Sequence, residues 1–556
     1  MKKVQVISKA NEPLEIEVAE QESLLDALLS HGVFVDTPCN GKGTCGKCKV
    51  RISEGALPAP TASEEKLLRK EELGAGVRLA CLVTDWDESI SVEVLQKEGK
   101  SKVLSRGTLP DFDKQFRDGY GICVDIGTTT VTLSLIDLSS GKFVVDASMV
   151  NMQKSYGLDV LTRISYASDH EDGCARLQEA IVGVINSLIV ELCRESGIER
   201  EEIAEILVAA NTTMAHLFLG VNPAQMGRFP YTPVFTEAKS MLASEIGLEA
   251  GAETRLYTLP HVSAFIGADV VAGVYVAGMQ KKKGNLLFID IGTNGEIVLA
   301  KDGVLYSCSC AAGPALEGMN ISCGMRAEPG AIEDVLITES GVQLKTIDNE
   351  PPIGICGSGI LAAVKELLRS GLVTDRGAFI KKDQLDPEDY RYEMIALDGR
   401  KREFVLQAGN GAAALSDDAG TGPSGSASTR LCLTQNDVRQ VQLAKGAILS
   451  GFLALLQEAE LSMEDLDVVY VAGQFGAHLP ADSLVGTGIL PPEVKDKIQY
   501  LGNSAKSGAY MALMNQDIRE EMDKIAEDIN YVELAVTKNY EQIFRDAMMY
   551  PRVKDG

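Results

Sequence analysis

Along the first 95 positions apolar and polar residues alternate in short runs. VQVISKA, LEIEVAE, KCKVRIS, VRLACLV and SISVEVL predict strands, and SLLDALLSHG, with apolar positions three and four apart, predicts one helix. Residues 96–119, KEGKSKVLSRGTLPDFDKQFRDGY, are polar without a sustained period and predict a linker, or else an added edge element. From Gly121 onward extended and helical patterns alternate to the C-terminus, which predicts α/β layers. GICVDIGTTTVTLSLIDLSSGKFVVDASMV predicts three antiparallel strands that turn at SSGK. Helices are predicted over 157–168 and 173–195, then a strand at EILVAAN. A second strand-rich start, NLLFIDIGTNGEIVLAKDGVLYSCSC, turns at KDG. The four residues DIGT therefore occur twice, at Asp125–Thr128 and Asp290–Thr293, each between two apolar runs. A duplicate at that separation points to two related subdomains rather than a short-period repeat. GNGAAALSDDAGTGPSGSAS cannot pack a core and is expected to form a surface insertion over 408–429.

Length and composition narrow this picture. At 556 residues the chain exceeds what one hydrophobic core serves, so three or four structural units are expected. Hydrophobic residues make up 45% and charged residues 24%, ordinary globular proportions that argue against wholesale disorder. No apolar run reaches the roughly 18 residues that cross a bilayer, and MKKVQVISKANEPLEIE lacks the apolar stretch of a signal peptide. The expectation is a cytoplasmic protein with no membrane partner. There its twelve cysteines stay reduced, which leaves metal ligation or simple burial as their uses. The net charge of −26 opposes binding to nucleic acid.

The cysteines carry the first chemistry. Cys39, Cys45 and Cys48 lie in PCNGKGTCGKC with the spacing C-x5-C-x2-C, and Cys81 follows in RLACLVT. Four thiolates from one glycine-rich loop and a distant strand suit an iron-sulfur cluster, because backbone N–H groups freed by Gly41, Gly43 and Gly46 can stabilise the sulfurs. A structural zinc site would more often pair two C-x2-C knuckles, and here there is one. Cys308 and Cys310 share one face of a predicted strand, with Cys323 and Cys356 downstream. A second cluster is conceivable there, but buried thiols are the simpler reading.

The paired DIGT turns carry the second chemistry. In a D-x-G-T turn between strands, Gly127 or Gly292 lets the backbone approach an anion. Thr128, Thr129, Thr130, Thr293, Asn294 and Gly295 can bind phosphate, and Asp125 and Asp290 can hold hydrated Mg2+. Glu296 is a candidate to orient an attacking water, an exposed strand residue being the alternative. DVVYVAGQFGAHL adds an apolar strand followed by Gly473, Gln474 and Gly476, which in isolation reads equally as a plain strand-to-helix turn. GICGSGILAAVKELL reads either as an interdomain connection or as a close helix contact. LTQNDVRQVQLAKGAILSGFLALL opens with a capping pattern at Thr434 and Asp437 and reads as a core helix.

The first segment resembles a β-grasp 2Fe-2S ferredoxin domain, with a spacing similar to the adrenodoxin type rather than the plant type. The DIGT pair and the 467–479 segment resemble the phosphate and adenosine motifs of the actin, Hsp70 and sugar kinase superfamily, in which two RNase H-like subdomains clamp ATP. The resemblance implies an α/β multidomain fold: a ferredoxin-like domain at 1–95, a linker at 96–119, a first RNase H-like subdomain at 120–283, and a second at 284–556 that contains the insertion. In this order the parts resemble the reductive activators of corrinoid proteins. SYGLDVLTRISYA, AANTTMAHLFLG, PHVSAFIGADVVAGV and CAAGPALEGMNISCGMRAEPGAI are also similar to that family.

That resemblance implies an ATP-hydrolysing iron-sulfur reductase that returns an oxidised corrinoid from Co(II) to Co(I) for methyl transfer, as in anaerobic O-demethylation. Its cofactors would be a 2Fe-2S cluster, ATP and Mg2+. Its partners would be a corrinoid (cobalamin-binding) protein of a methyltransferase system and an electron donor such as ferredoxin, flavodoxin or a reductase, with a homodimer left open. The electron transfer is uphill, each ~59 mV of gap costing tenfold for one electron, so an ATPase beside the cluster has a purpose. Two alternatives stay open: an activator of 2-hydroxyacyl-CoA dehydratases, which would use a 4Fe-4S cluster without the N-terminal domain, and a redox-sensing small-molecule kinase with Asp269 as its base.

Overall fold

A computed structural model of the chain describes residues 2–7, 14–18, 22–31, 33, 35, 43, 46, 48–55, 58–68, 70–86, 89–95, 107–398, 401–407, 430–473 and 479–552. The insertion expected over 408–429 lies outside them.

The alternating runs of the N-terminal segment form a five-stranded sheet in the order Leu14–Val18, Lys2–Ile7, Ser89–Val94, Lys49–Glu54, Val77–Leu79. Inward residues such as Val4, Ile16, Val50 and Val92 meet Leu24, Leu25 and Leu28 of the helix Leu24–Ser30 to make a separate core. A second helix, Ala62–Leu67, starts on a capping box between Thr61 and Glu64. Glu64 is fully buried and accepts from Arg78 at 2.8 and 2.9 Å and from the Leu79 N–H at 3.0 Å. This pair fixes the short strand Val77–Leu79, and the chain then leaves the sheet in a 3-10 turn, Ala80–Leu82, that carries Cys81.

Two six-stranded sheets dominate the rest. The first runs Lys239–Leu242, Arg255–Thr258, Ile203–Ala210, Tyr120–Ile126, Thr130–Asp137, Lys142–Val150, and the second Ile498–Gly502, Val468–Ala472, Asn285–Ile291, Gly295–Lys301, Val304–Cys310, Ile529–Tyr531. Each DIGT copy joins the first two strands of an antiparallel meander, as the hydrophobic pattern predicts. Because side chains alternate between faces, each strand feeds two cores. Ile122, Val124 and Ile126 pack on the long helix Gly173–Ser196 in an outer core, while Cys123 enters the layer between the sheets. In the second sheet Leu287, Ile289 and Ile291 turn outward and Leu286 and Phe288 turn into the same shared layer. Helices Ala268–Ala277 and Ser504–Met514 fill that layer.

Helix Gly173–Ser196 could cross a bilayer by length and composition alone; here Leu177, Ile181, Ile185 and Leu188 bury one face against the first sheet. The stretch expected as a linker is, from Gly107 on, bound to the second half of the chain. Gly107 bridges Gly502, the Thr108 N–H donates to the Leu501 carbonyl at 2.7 Å, and Arg117 reaches both the Leu513 carbonyl and Glu205.

Candidate functional site

The alternation that builds the shared layer also places the aspartates. Asp125 and Asp290 each stand one residue before the end of a central strand, on the face that turns toward the other sheet. The strands' C-terminal ends therefore open on one cleft lined from both halves, the usual ligand position in open α/β sheets. Asp125, Gly127, Thr128, Thr129, Thr130 and Asp290, Gly292, Thr293, Asn294, Glu296 all line it, and so does Gly473. Gly295 does not: it lies behind the turn against Cys310, paired with it across the strands. Gln474 and Gly476 lie outside the described residues.

The two turns differ in length. Ile126 pairs with Val131 across four residues, and Ile291 pairs with Gly295 across three, so Glu296 stands directly opposite Asp290, where Thr132 stands opposite Asp125. They meet across the cleft. The Thr129 and Thr293 hydroxyl oxygens are 3.3 Å apart, and both hydroxyls donate to Glu317, at 2.8 and 2.5 Å. Glu317 ends the 3-10 turn Pro314–Glu317, on which the helix Gly357–Arg369 is stacked. A side chain at Gly357 would collide with the Leu316 carbonyl. The glycines of GICGSGIL therefore serve the close helix contact, and that contact holds Glu317 in place.

Two asparagines complete the frame. Asn211 donates to the Thr128 hydroxyl at 3.1 Å and caps helix Thr212–Phe218; Asn503 donates to Asp125 at 2.7 Å and caps Ser504–Met514. Neither was among the sequence candidates, nor was Glu317. Each asparagine follows a strand and precedes a helix, a local N-cap signal that could have flagged it. Glu317 carries no such signal.

The cleft is strongly acidic. Burial first, then Asp269 and Asp125, push Asp290 up to about 8. Burial and, less, Asp125 push Asp269 up to about 7 against the Val270 N–H, and Glu296 is raised well above the ordinary range by burial and its carboxylate neighbours. Such crowding favours a cation. Among the described residues no three His, Cys, Asp or Glu side chains converge closely enough to hold a metal directly, which suits Mg2+, an ion that keeps several waters and takes phosphate oxygens as ligands. Glu317 is also raised by burial, but the Thr293 and Thr129 hydroxyls oppose this, followed by the charges of Arg326 and Lys154. Arg163, fully buried, donates to the Thr128 carbonyl at 2.5 Å.

At the other site Cys48 and Cys81 are both buried, with sulfurs 3.3 Å apart, too far for a disulfide and close enough for one metal centre to hold both. This pair, beside the turns at Gly43 and Gly46, fits half of a two-iron cluster. Cys39 and Cys45 lie outside the described residues. Cys308 and Cys310 are buried on one strand face, donating to the Gly451 and Gly295 carbonyls, and Cys356 donates to the Ile332 carbonyl. They form no second metal cluster among the described residues.

Comparison with known proteins agrees part by part. Residues 7–84 match the family model of the 2Fe-2S iron-sulfur cluster binding domain, residues 120–282 that of the RACo middle region, and residues 284–555 that of the C-terminal domain of RACo, the ASKHA domain. The corrinoid activation enzyme RamQ of Eubacterium limosum is 29% identical over 592 aligned positions, covering 96% of this chain and 97% of that protein. The Co(II) methylated amine-specific corrinoid protein reductase of Methanosarcina barkeri is 24% identical over 78% of this chain and 77% of its own length. A solved structure of a reductive activator for a corrinoid, iron-sulfur protein superposes with a TM-score of 0.69 at 29% identity, covering 100% of this chain and 99% of that one.

Proposed function

The chain belongs to the family of reductive activators of corrinoid proteins, and from that premise we propose how its parts carry out the reaction. The protein is an ATP-hydrolysing iron-sulfur reductase that returns a corrinoid protein's cobalt from Co(II) to Co(I), the methyl-accepting state. The observation that carries this reading is the order of the three matched regions, a 2Fe-2S domain followed by both halves of an ATPase, over nearly the whole chain.

The 2Fe-2S cluster, when bound, supplies a one-electron carrier. Cys39, Cys45, Cys48 and Cys81 would hold it, and Glu64 with Arg78 keeps the Cys81 turn in position. Asp125, Asp290 and Glu296 belong to the acidic side of the cleft, where a hydrated Mg2+ would offset their repulsion. The Thr128–Thr130 turn, with Thr293, Asn294 and the backbone of Gly292, would bind the phosphates. The segment from Gly473 through Gln474 and Gly476 would receive the adenosine.

ATP helps an uphill transfer only if nucleotide states bind the partner differently. The cleft is lined by both halves, so nucleotide can change how the halves sit and thereby the affinity for the corrinoid protein. Docking would alter the cobalt's axial ligation and raise its potential; hydrolysis would then release the product. The reading includes a cytoplasmic location, a low-potential donor such as a ferredoxin, flavodoxin or reductase, and a homodimer as the assembly to test first.

The test is anaerobic absorbance spectroscopy of a Co(II) corrinoid protein mixed with this chain, a reductant and MgATP. The Co(I) band should appear only with all components present. Phosphoryl transfer to a small substrate with no corrinoid protein present would instead favour a kinase.

A further inference from the structure

One buried carboxylate of the cleft, Glu317, lies outside both phosphate turns. We propose that Glu317 orients the water that attacks the terminal phosphate of ATP. This rests on the ATPase reading above and assigns within it a residue that the DIGT motifs do not contain.

The cleft has two electrostatically distinct sides. Asp125, Asp269, Asp290 and Glu296 repel one another, and that side suits Mg2+. A carboxylate engaged by the metal's water shell is poorly placed to activate a second water. Glu317 instead sits where the two turns meet, under the influence of the cations Arg326 and Lys154, and is held by hydroxyls from both halves. Thr129 and Thr293 both direct their hydroxyl donors to it. When a terminal phosphate comes between the turns, those hydroxyls have phosphate oxygens to bind, and Glu317 loses both partners. A buried carboxylate without donors is costly. Water is the small donor able to replace them, and it would lie beside the phosphate.

In the step itself the water oxygen bonds to the γ-phosphorus as the bond from that phosphorus to the β–γ bridging oxygen breaks. One water proton goes to the Glu317 carboxylate and then to the released phosphate, so ADP and inorganic phosphate are the products and no redox change occurs. Stacking of Gly357 on Leu316 fixes the turn and so the carboxylate.

The test uses the full cluster-loaded chain with MgATP. Glu317→Gln keeps a planar group that can meet both threonines; Glu317→Asp keeps the charge but withdraws it by one methylene. For Glu317→Gln, kcat for ATP hydrolysis should fall about 100-fold or more while the dissociation constant of a fluorescent ATP analogue stays within about threefold. Glu317→Asp should lose at least about tenfold in kcat with the same retained affinity. Either variant hydrolysing ATP at the wild-type rate overturns the proposal. So does loss of nucleotide affinity in both variants, which would make Glu317 only a clasp, or a kcat defect confined to Glu296→Gln. Wild-type protein that hydrolyses no ATP, with or without a corrinoid protein, would instead sink the broader functional reading.

Discussion

His261 has both ring nitrogens buried: Nδ1 accepts the Ala268 N–H at 3.1 Å, and Nε2 meets no hydrogen-bond partner among the described residues. Burial, reinforced by the neighbouring His216 and only weakly opposed by Glu237, holds its pKa down at about 3. The unfolded value is near 6.5, so the folded state resists protonation. Stability is complete above pH 6.5 and falls as pH drops below it. In urea unfolding between pH 7.5 and 5, wild type should lose up to about 1.4 kcal/mol per pH unit more than His261→Gln below pH 6.5. Equal slopes would mean the ring is hydrated. Gly473 has φ of +98°, and a Cβ there would lie 2.6 Å from Asp290 Oδ1 and 2.7 Å from the Ile291 carbonyl. Gly473→Ala should therefore cost at least about 1 kcal/mol from the backbone alone, and titration should find nucleotide affinity weakened as well, because the collision is with the second phosphate turn.

Helix Gln435–Glu458 is anchored at its N-terminus more firmly than its capping pattern implies. Asp437 is fully buried and accepts not only from the Thr434 N–H at 2.8 Å but also from the Ser322 N–H at 2.8 Å and the Ser322 hydroxyl at 3.1 Å. Asp437→Ala strands donors from two segments, so calorimetry should record a loss of about 2–3 kcal/mol, above an ordinary cap, while ATP turnover per folded molecule persists. The helix is core, as its pattern predicts. The two DIGT hairpins teach a different lesson about elements. Identical letters suggest identical turns, yet four residues separate the paired Ile126 and Val131 in the first hairpin whereas three separate Ile291 and Gly295 in the second. That one-residue difference sets Glu296, and not Ile297, opposite the motif's aspartate.

For the whole molecule the question is whether cluster and ATPase work as separable units. The ferredoxin-like sheet has its own core, whereas the ATPase halves share one layer. Cys81→Ser should abolish the cluster's visible absorbance, iron content and cobalt reduction, while ATP hydrolysis persists; hydrolysis lost together with iron would mean the units are not separable. The segment from Gly107 to Gly119 belongs with the ATPase. Its polar sequence reads as a linker because its partners, Leu501 to Asn515, lie almost four hundred positions away, and no local period can register hydrogen bonds to a distant backbone edge.

The sequence by itself determined the three-part architecture, the antiparallel starts of both sheets and the paired aspartates, because these rest on local alternation and duplicated turns. Only the tertiary structure decided which face was shared between the halves, that Glu317 spans Thr129 and Thr293, and that Asn211 and Asn503 brace the first turn. Those contacts join segments 24 to 378 residues apart, and what selects them is the packing of two sheets on one helical layer.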